Sequence, residues 1–128
     1  MTPEAQDRKN TPIYSGVLRY FPDAIAAVAR CSFVANEQHN PRTAMHWDRS
    51  KSGDELDALT RHLMDAGKMD SDGLRHSTKV AWRALANLQK EIEAEKEAEK
   101  ESAKDLQTPV DTPAKVVVPS WKSKRTTC

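Results

Sequence analysis

Side chains able to do chemistry cluster in three places along this chain. Met69-Asp70-Ser71-Asp72-Gly73 leads into His76, so two carboxylates and an imidazole fall within seven residues. Such a group can hold a divalent cation, hard cations preferring the carboxylates. Asp-x-Asp-Gly also opens a calcium loop, but no third oxygen ligand or closing Glu follows at the required spacing, so that reading is rejected. The plainer account is a helix start, with Asp72 or Ser71 as N-cap, Gly73 in the turn and His76 on the surface. Glu55 and His62 are seven residues apart and share one flank of a helix, from which they can reach a cleft between helices. Their plainer roles are a capping glutamate and a satisfied boundary histidine. The third place is Asn36-Glu37-Gln38-His39-Asn40, dense in ligating groups at a helix end. A glutamate there opposes the helix dipole, which invites a second purpose unless the end is simply solvated.

Many chemistries are excluded by motif. There is no phosphate-binding Gly-rich loop, no His-Glu-x-x-His, no paired Cys-x-x-Cys, no Gly-x-Ser-x-Gly elbow and no adjacent His-Asp pair. Of 128 residues, 38% are apolar and 30% charged, so any core is small. Twenty basic against nineteen acidic side chains give a formal charge of +1, which argues against a dedicated nucleic-acid binder. A weak basic-tail attachment resting on Lys115, Lys122, Lys124 and Arg125 near Trp121 is the remaining possibility of that kind. No apolar run approaches the ~18 residues of a membrane span. The charged first ten residues show no secretory signal, and Cys31 and Cys128 make no disulfide framework, so a cytoplasmic setting is expected.

The elements that must position these groups read as helices. Residues 1–15 are polar, carry Pro3 and Pro12, and read as a flexible arm. Pro22 suits a first helical position, and Ile25, Val28, Cys31, Ser32 and Ala35 recur at helical spacing up to about Gln38, before Asn40-Pro41. Residues from Pro41 to Lys51 read as an ordered loop. Ser52-Gly53-Asp54-Glu55 reads as a capping box opening a second helix, with Leu56, Leu59 and Leu63 as its core stripe and Gly67 as its stop. A third helix is expected from Asp72 or Gly73, with the stripe Leu74, Thr78, Ala81, Leu85, Leu88 and Ile92. The class is all-α: a small bundle of about three main helices over residues 16–93, a charged helical extension over 94–100, and a disordered tail over 101–128. Antiparallel packing of consecutive helices would bring Glu37, Asp72 and His62 to one cleft.

Taken in order, the pieces Val34-Ala35-Asn36-Glu37-Gln38-His39-Asn40, His46-Trp47, Arg61-His62-Leu63, Ala66-Gly67 with Asp70 and Asp72, Gly73-Leu74-Arg75-His76 and Val80-Ala81-Trp82 form a pattern. Over about residues 13–93 it resembles the phage and bacterial dATP/dGTP diphosphohydrolase N-terminal domains, related to the MazG-like all-α nucleotide pyrophosphohydrolases. Lys79 stands where many relatives carry a second His, and Arg83 where they often carry Asn. The resemblance implies metal-dependent hydrolysis of a (deoxy)nucleoside triphosphate, a purine dNTP by preference, to monophosphate and pyrophosphate. Mg²⁺ or Mn²⁺ would be the cofactor, neutralising phosphate charge while a water is aligned on the α-phosphorus.

On that resemblance Glu37, Asp70 and Asp72 are the metal donors, and Glu37, His62 and His76 the catalytic groups. Glu55 and His62 would orient water or ligand, and His76 would bind phosphate or assist proton transfer. Arg49, Lys51, Arg61 and Lys79 are the phosphate partners it implies, and Trp47 stacks on a base or serves as core or lid. The expected partners are the nucleotide and further copies of the chain, since the MazG-like families are oligomeric, with no membrane and no specific nucleic acid. The expected location is the cytoplasm, that of the host if the chain is phage-encoded. The alternative is a non-catalytic helical module binding a nucleotide or a protein, favoured by Glu37 lacking an acidic partner three residues away.

Overall fold

The computed structural model describes residues 1–51 and 53–106, the side chains of Asp105 and Leu106 excepted. Its described part is all-α: α1 (Pro3–Lys9), α2 (Pro22–His39), α3 (Glu55–Met64) and α4 (His76–Leu106), with a π-helical turn at Tyr14–Leu18 and a 3₁₀ turn at Arg49–Lys51. Residues 1–91 form one compact unit, and the chain from Ile92 belongs to a second. Within the second, residues 92–106 continue as helix, where Glu97 and Lys100 pair at 3.5 Å one turn apart. Helix therefore occupies residues 101–106, at the start of the stretch read as tail. The rest of that stretch, with Lys115, Trp121, Lys122, Lys124 and Arg125, lies outside the described residues.

Local chemistry accounts for the helix ends. Inside the stretch read as an arm, Thr2 accepts from the Ala5 N–H at 3.1 Å and Pro3 takes the first helical position, which starts α1. α2 starts at Pro22 with Asp23 in its first turn and stops at His39, one residue before the Asn40-Pro41 pair that disfavours helix. α3 corrects the capping-box expectation. Its N-cap is Asp54, which makes no capping hydrogen bond, so Glu55 is the first helical residue rather than the third. α4 begins at His76, later than Asp72 or Gly73, because the preceding residues close a tight loop instead. There the Asp72 carboxylate accepts from the Leu74 N–H at 3.1 Å and Gly73 adopts φ 82°. The Asp70 N–H reaches the Leu74 carbonyl at 2.7 Å around a Met69–Arg75 bridge.

The buried apolar side chains are small: Cys31, Ala58 and Ala86. On α2 the covered positions match the expected stripe. On α3 they do not. Glu55 and Ala58 are buried and Leu59 and His62 half-buried, whereas Leu56 and Leu63 are 59% and 54% exposed. On α4 the covered row is Thr78, Trp82 and Ala86, and Leu85 and Leu88 are half exposed. Polar ties hold these faces together and explain the rotation. Lys90 Nζ donates to Glu55 Oε2 at 3.1 Å, with Arg83 3.8 Å from the other oxygen, and Trp82 Nε1 donates to Ser32 Oγ at 2.8 Å. A glutamate drawn inward by two cations turns its neighbouring leucine outward.

Candidate functional site

The loop between α3 and α4 delivers Asp70 and Asp72, and the first residue of α4 delivers His76, to the flank of α3 that carries His62. His62 Nδ1 lies 2.9 Å from His76 Nδ1, the two rings tilted 34° to each other, and His76 Nδ1 lies 3.9 Å from Asp70 Oδ2. One donor atom from each of His62, Asp70 and His76 falls within 4.8 Å of the others, all three side chains being half-buried. Burial, then the nearby Lys79 charge, lowers the His62 pKa, so its neutral, ligating form prevails at neutral pH.

Lys79 completes the cluster from the first turn of α4. Its ammonium donates to Asp70 Oδ2 and, at 2.7 Å, to Asp72 Oδ2. Hydrogen bonding from Lys79, with help from the Ser71 N–H, holds the Asp70 pKa down to about 2, and the Lys79 bond lowers that of Asp72 as well. Burial works against the Lys79 charge, yet the two carboxylates outweigh it and raise its pKa. Asp70 and Asp72, expected as metal donors, thus already share a cation supplied by the chain, and Lys79 is engaged with carboxylates rather than poised for phosphate.

Beside this cluster opens a cavity of about 600 Å³, within the range of small-molecule sites. The end of α2, the following loop, α3, the α3–α4 loop and α4 all contribute to its wall. His62, Asp72 and Lys79 line it next to Trp47, Trp82 and Arg83. Its formal charges nearly cancel, with Lys51, Lys79 and Arg83 against Asp48, Asp54 and Asp72. Trp47 packs edge-to-face on Trp82 at 5.6 Å, and the Arg49 guanidinium sits 4.2 Å over the Trp47 ring. Cys31 borders the cavity too, and burial raises its thiol pKa.

The structure brings together His62, Asp70, Asp72, His76 and Lys79, with Trp47 and Lys51 on the same cavity wall. Others expected at the site are elsewhere. Glu37 is exposed and is neither a cavity-lining residue nor a member of the His–Asp group. At 3.6 residues per turn it points roughly opposite the Ile25–Val28–Cys31–Ala35 stripe. Arg61 is spent on Asp54 at 3.1 Å, Glu55 is buried beneath Lys90 and Arg83, and Arg49 covers Trp47. Asn36, named in the sequence only as part of the polar end of α2 and given no role there, is 7% exposed and lines the cavity. Its position one turn beyond Ser32 on α2 was the available signal.

Comparison with the curated proteins and with the solved structures returned no match. A family model described as dATP/dGTP diphosphohydrolase, N-terminal, matches residues 2–101, which takes in α1 through most of α4 and every residue of the cluster and cavity. With that match spanning well over half of its length, the chain belongs to the dATP/dGTP diphosphohydrolase N-terminal family.

Proposed function

We propose that this chain hydrolyses a purine deoxynucleoside triphosphate to its monophosphate and pyrophosphate, with a divalent cation held by His62, Asp70 and His76. The observation that carries the reading is a metal-capable group sharing His62 with a cavity of nucleotide size, in a family named for dATP/dGTP diphosphohydrolysis. The donor set fits one cation. Metal–nitrogen and metal–oxygen distances near 2.1 Å require donors within about 4.2 Å of one another, so a small side-chain rotation closes the 4.8 Å group. Two imidazoles and one carboxylate favour Mn²⁺ over Mg²⁺, because Mg²⁺ prefers an all-oxygen shell.

A bound cation there would neutralise phosphate charge and lower the pKa of an attached water. The chain's own residues supply the rest. The nearly neutral cavity wall cannot by itself balance a triphosphate, which is why a cation is required of the reading. With such a cation held, Asp70 would turn to it while Lys79 would keep its bond to Asp72 and stay near the phosphates. Lys51 stands on the cavity wall as a further phosphate partner. The uncovered Leu56 and Leu63 on α3 and Leu85 and Leu88 on α4 support a homo-oligomer in which a second copy covers them.

Pyrophosphate release from a panel of the eight common NTPs and dNTPs, with Mn²⁺ and with Mg²⁺, tests the reading. Turnover of dATP or dGTP with Mn²⁺ is expected. Binding of nucleotide with no turnover under either metal would instead make the chain a nucleotide-binding module.

A further inference from the structure

The oxygen that a cation would need from Asp70 is already taken. Asp70 Oδ1 accepts from the Ser71 N–H at 2.6 Å and from the Ser71 hydroxyl at 3.3 Å, so it is tied into its own loop. Oδ2 is the oxygen that faces His76 Nδ1, 3.9 Å away, and Lys79 Nζ donates to that same atom. An ammonium and a divalent cation bonded to one oxygen would stand about 4 Å apart, where like charges in a half-buried cluster repel strongly. Cation binding therefore has to move the Lys79 ammonium off Asp70. Asp72 can keep hold of it. Its Oδ2 accepts from Lys79 at 2.7 Å, and its Oδ1 is fixed by the Leu74 N–H at 3.1 Å. Asp72 and Lys79 both line the cavity, and Asp70 and His76 are not among its lining residues. The ammonium thus stands between a loop carboxylate on one side and the cavity on the other, and what the cavity contains decides how readily it lets go of Asp70.

We infer that Lys79 couples the two ligands of this site, so that a divalent cation is held firmly by His62, Asp70 and His76 only when an anion in the cavity takes over the ammonium. With the cavity empty, Lys79 would exchange two carboxylates for one, and that loss is charged against cation binding. A phosphate group in the cavity supplies the missing second partner, because an ammonium bonds phosphate oxygens as well as carboxylate oxygens. The coupling is reciprocal: the phosphate favours the cation by the factor by which the cation favours the phosphate. In the absence of nucleotide the chain's own cation fills the place of the metal. The inference rests on the nucleotide reading above and adds to it how occupancy of the cation site is regulated.

The test measures the Mn²⁺ affinity of the full chain from the electron paramagnetic resonance signal of the free ion, with no addition, with dAMP and with deoxyadenosine. Deoxyadenosine keeps the base and sugar and brings no anion. In the wild type dAMP should tighten Mn²⁺ binding at least about 5-fold, and deoxyadenosine should leave it unchanged. Direct contact between Mn²⁺ and the phosphate would give a rise of its own, so the series is repeated on Lys79→Met, and on Lys79→Gln if the first variant does not fold. Without any addition the neutral variant should bind Mn²⁺ at least about 10-fold more tightly than the wild type, and its dAMP effect should be at least about 3-fold smaller. A dAMP effect as large in the neutral variant as in the wild type overturns the inference. So does a wild type that binds dAMP, by titration calorimetry, without any gain in Mn²⁺ affinity. If dATP is nevertheless turned over with Mn²⁺, only the coupling through Lys79 fails. If Mn²⁺ binds but no nucleotide binds or reacts, the nucleotide reading falls and the coupling with it.

Discussion

Lys79 is the residue on which the electrostatics of the site turn. It holds two carboxylates that would otherwise face each other across a half-buried loop. Lys79→Met should therefore lower stability by about 2 kcal/mol in urea denaturation, as expected when one partner of a partly buried pair is removed. Mn²⁺ should restabilise that variant more than it does the wild type, since Asp70 and Asp72 are then free to take a cation. An unchanged urea midpoint would show that the Lys79 bonds carry no stability. Cys31 gives a second residue-level test. Because burial raises its pKa, thiolate is scarce at neutral pH and increases only above the usual thiol range. Iodoacetamide labelling of Cys31, read by peptide mass spectrometry, should be at least about 10-fold slower than that of a free thiol at pH 8 and still climbing above pH 9. Asp70, Asp72, His62 and His76 were legible in the sequence because three of them fall within seven residues and His62 shares a helix flank with Glu55. That Lys79 was already engaged was not legible, since a spacing does not say which charges meet.

At the scale of the helix, the bounds of α2 followed from Pro22 and from Asn40-Pro41, and they came out as read. The faces of α3 and α4 came out only in part, with Leu59, Thr78 and Ala81 covered and Leu56, Leu63, Leu85 and Leu88 exposed. Leucines at i, i+3 and i+7 suggest a core stripe, yet a carboxylate with two cations facing it outcompeted them for the covered position. Glu55 is 5% exposed and bonded to Lys90, so Glu55→Ala leaves that cation and Arg83 short of a carboxylate. A loss of about 3 kcal/mol in chemical denaturation is expected. Ala58, packed on the same face, should tolerate no enlargement, and Ala58→Leu should cost about 2 kcal/mol by overpacking. If instead Leu56→Ala proves more damaging than either, in a sample shown to be a single chain, Leu56 rather than Glu55 lies on the covered face. Glu37 fails for the same geometric reason in reverse. Its residue type suited a metal site, but its place on the helical wheel faces away from the cavity.

For the molecule as a whole, the three small apolar side chains buried among the described residues make a core too thin to explain a stable fold on its own. The exposed leucines of α3 and α4 are where the missing burial would come from. Sedimentation analysis should accordingly give a mass that is a multiple of the chain mass, and Leu56→Lys with Leu63→Lys should reduce it toward a single chain. A wild-type monomer with a single cooperative transition would contradict this. The claim on which everything else depends is that His62, Asp70 and His76, rather than Glu37, form the reactive centre. Pyrophosphate release from dATP with Mn²⁺, compared across wild type, His62→Ala, Asp70→Asn and Glu37→Gln, tests it most directly. Turnover by the wild type is expected, with losses of about 100-fold or more in His62→Ala and Asp70→Asn and a Glu37→Gln rate within about two-fold of wild type. Loss of turnover in Glu37→Gln with His62→Ala and Asp70→Asn still active would contradict it.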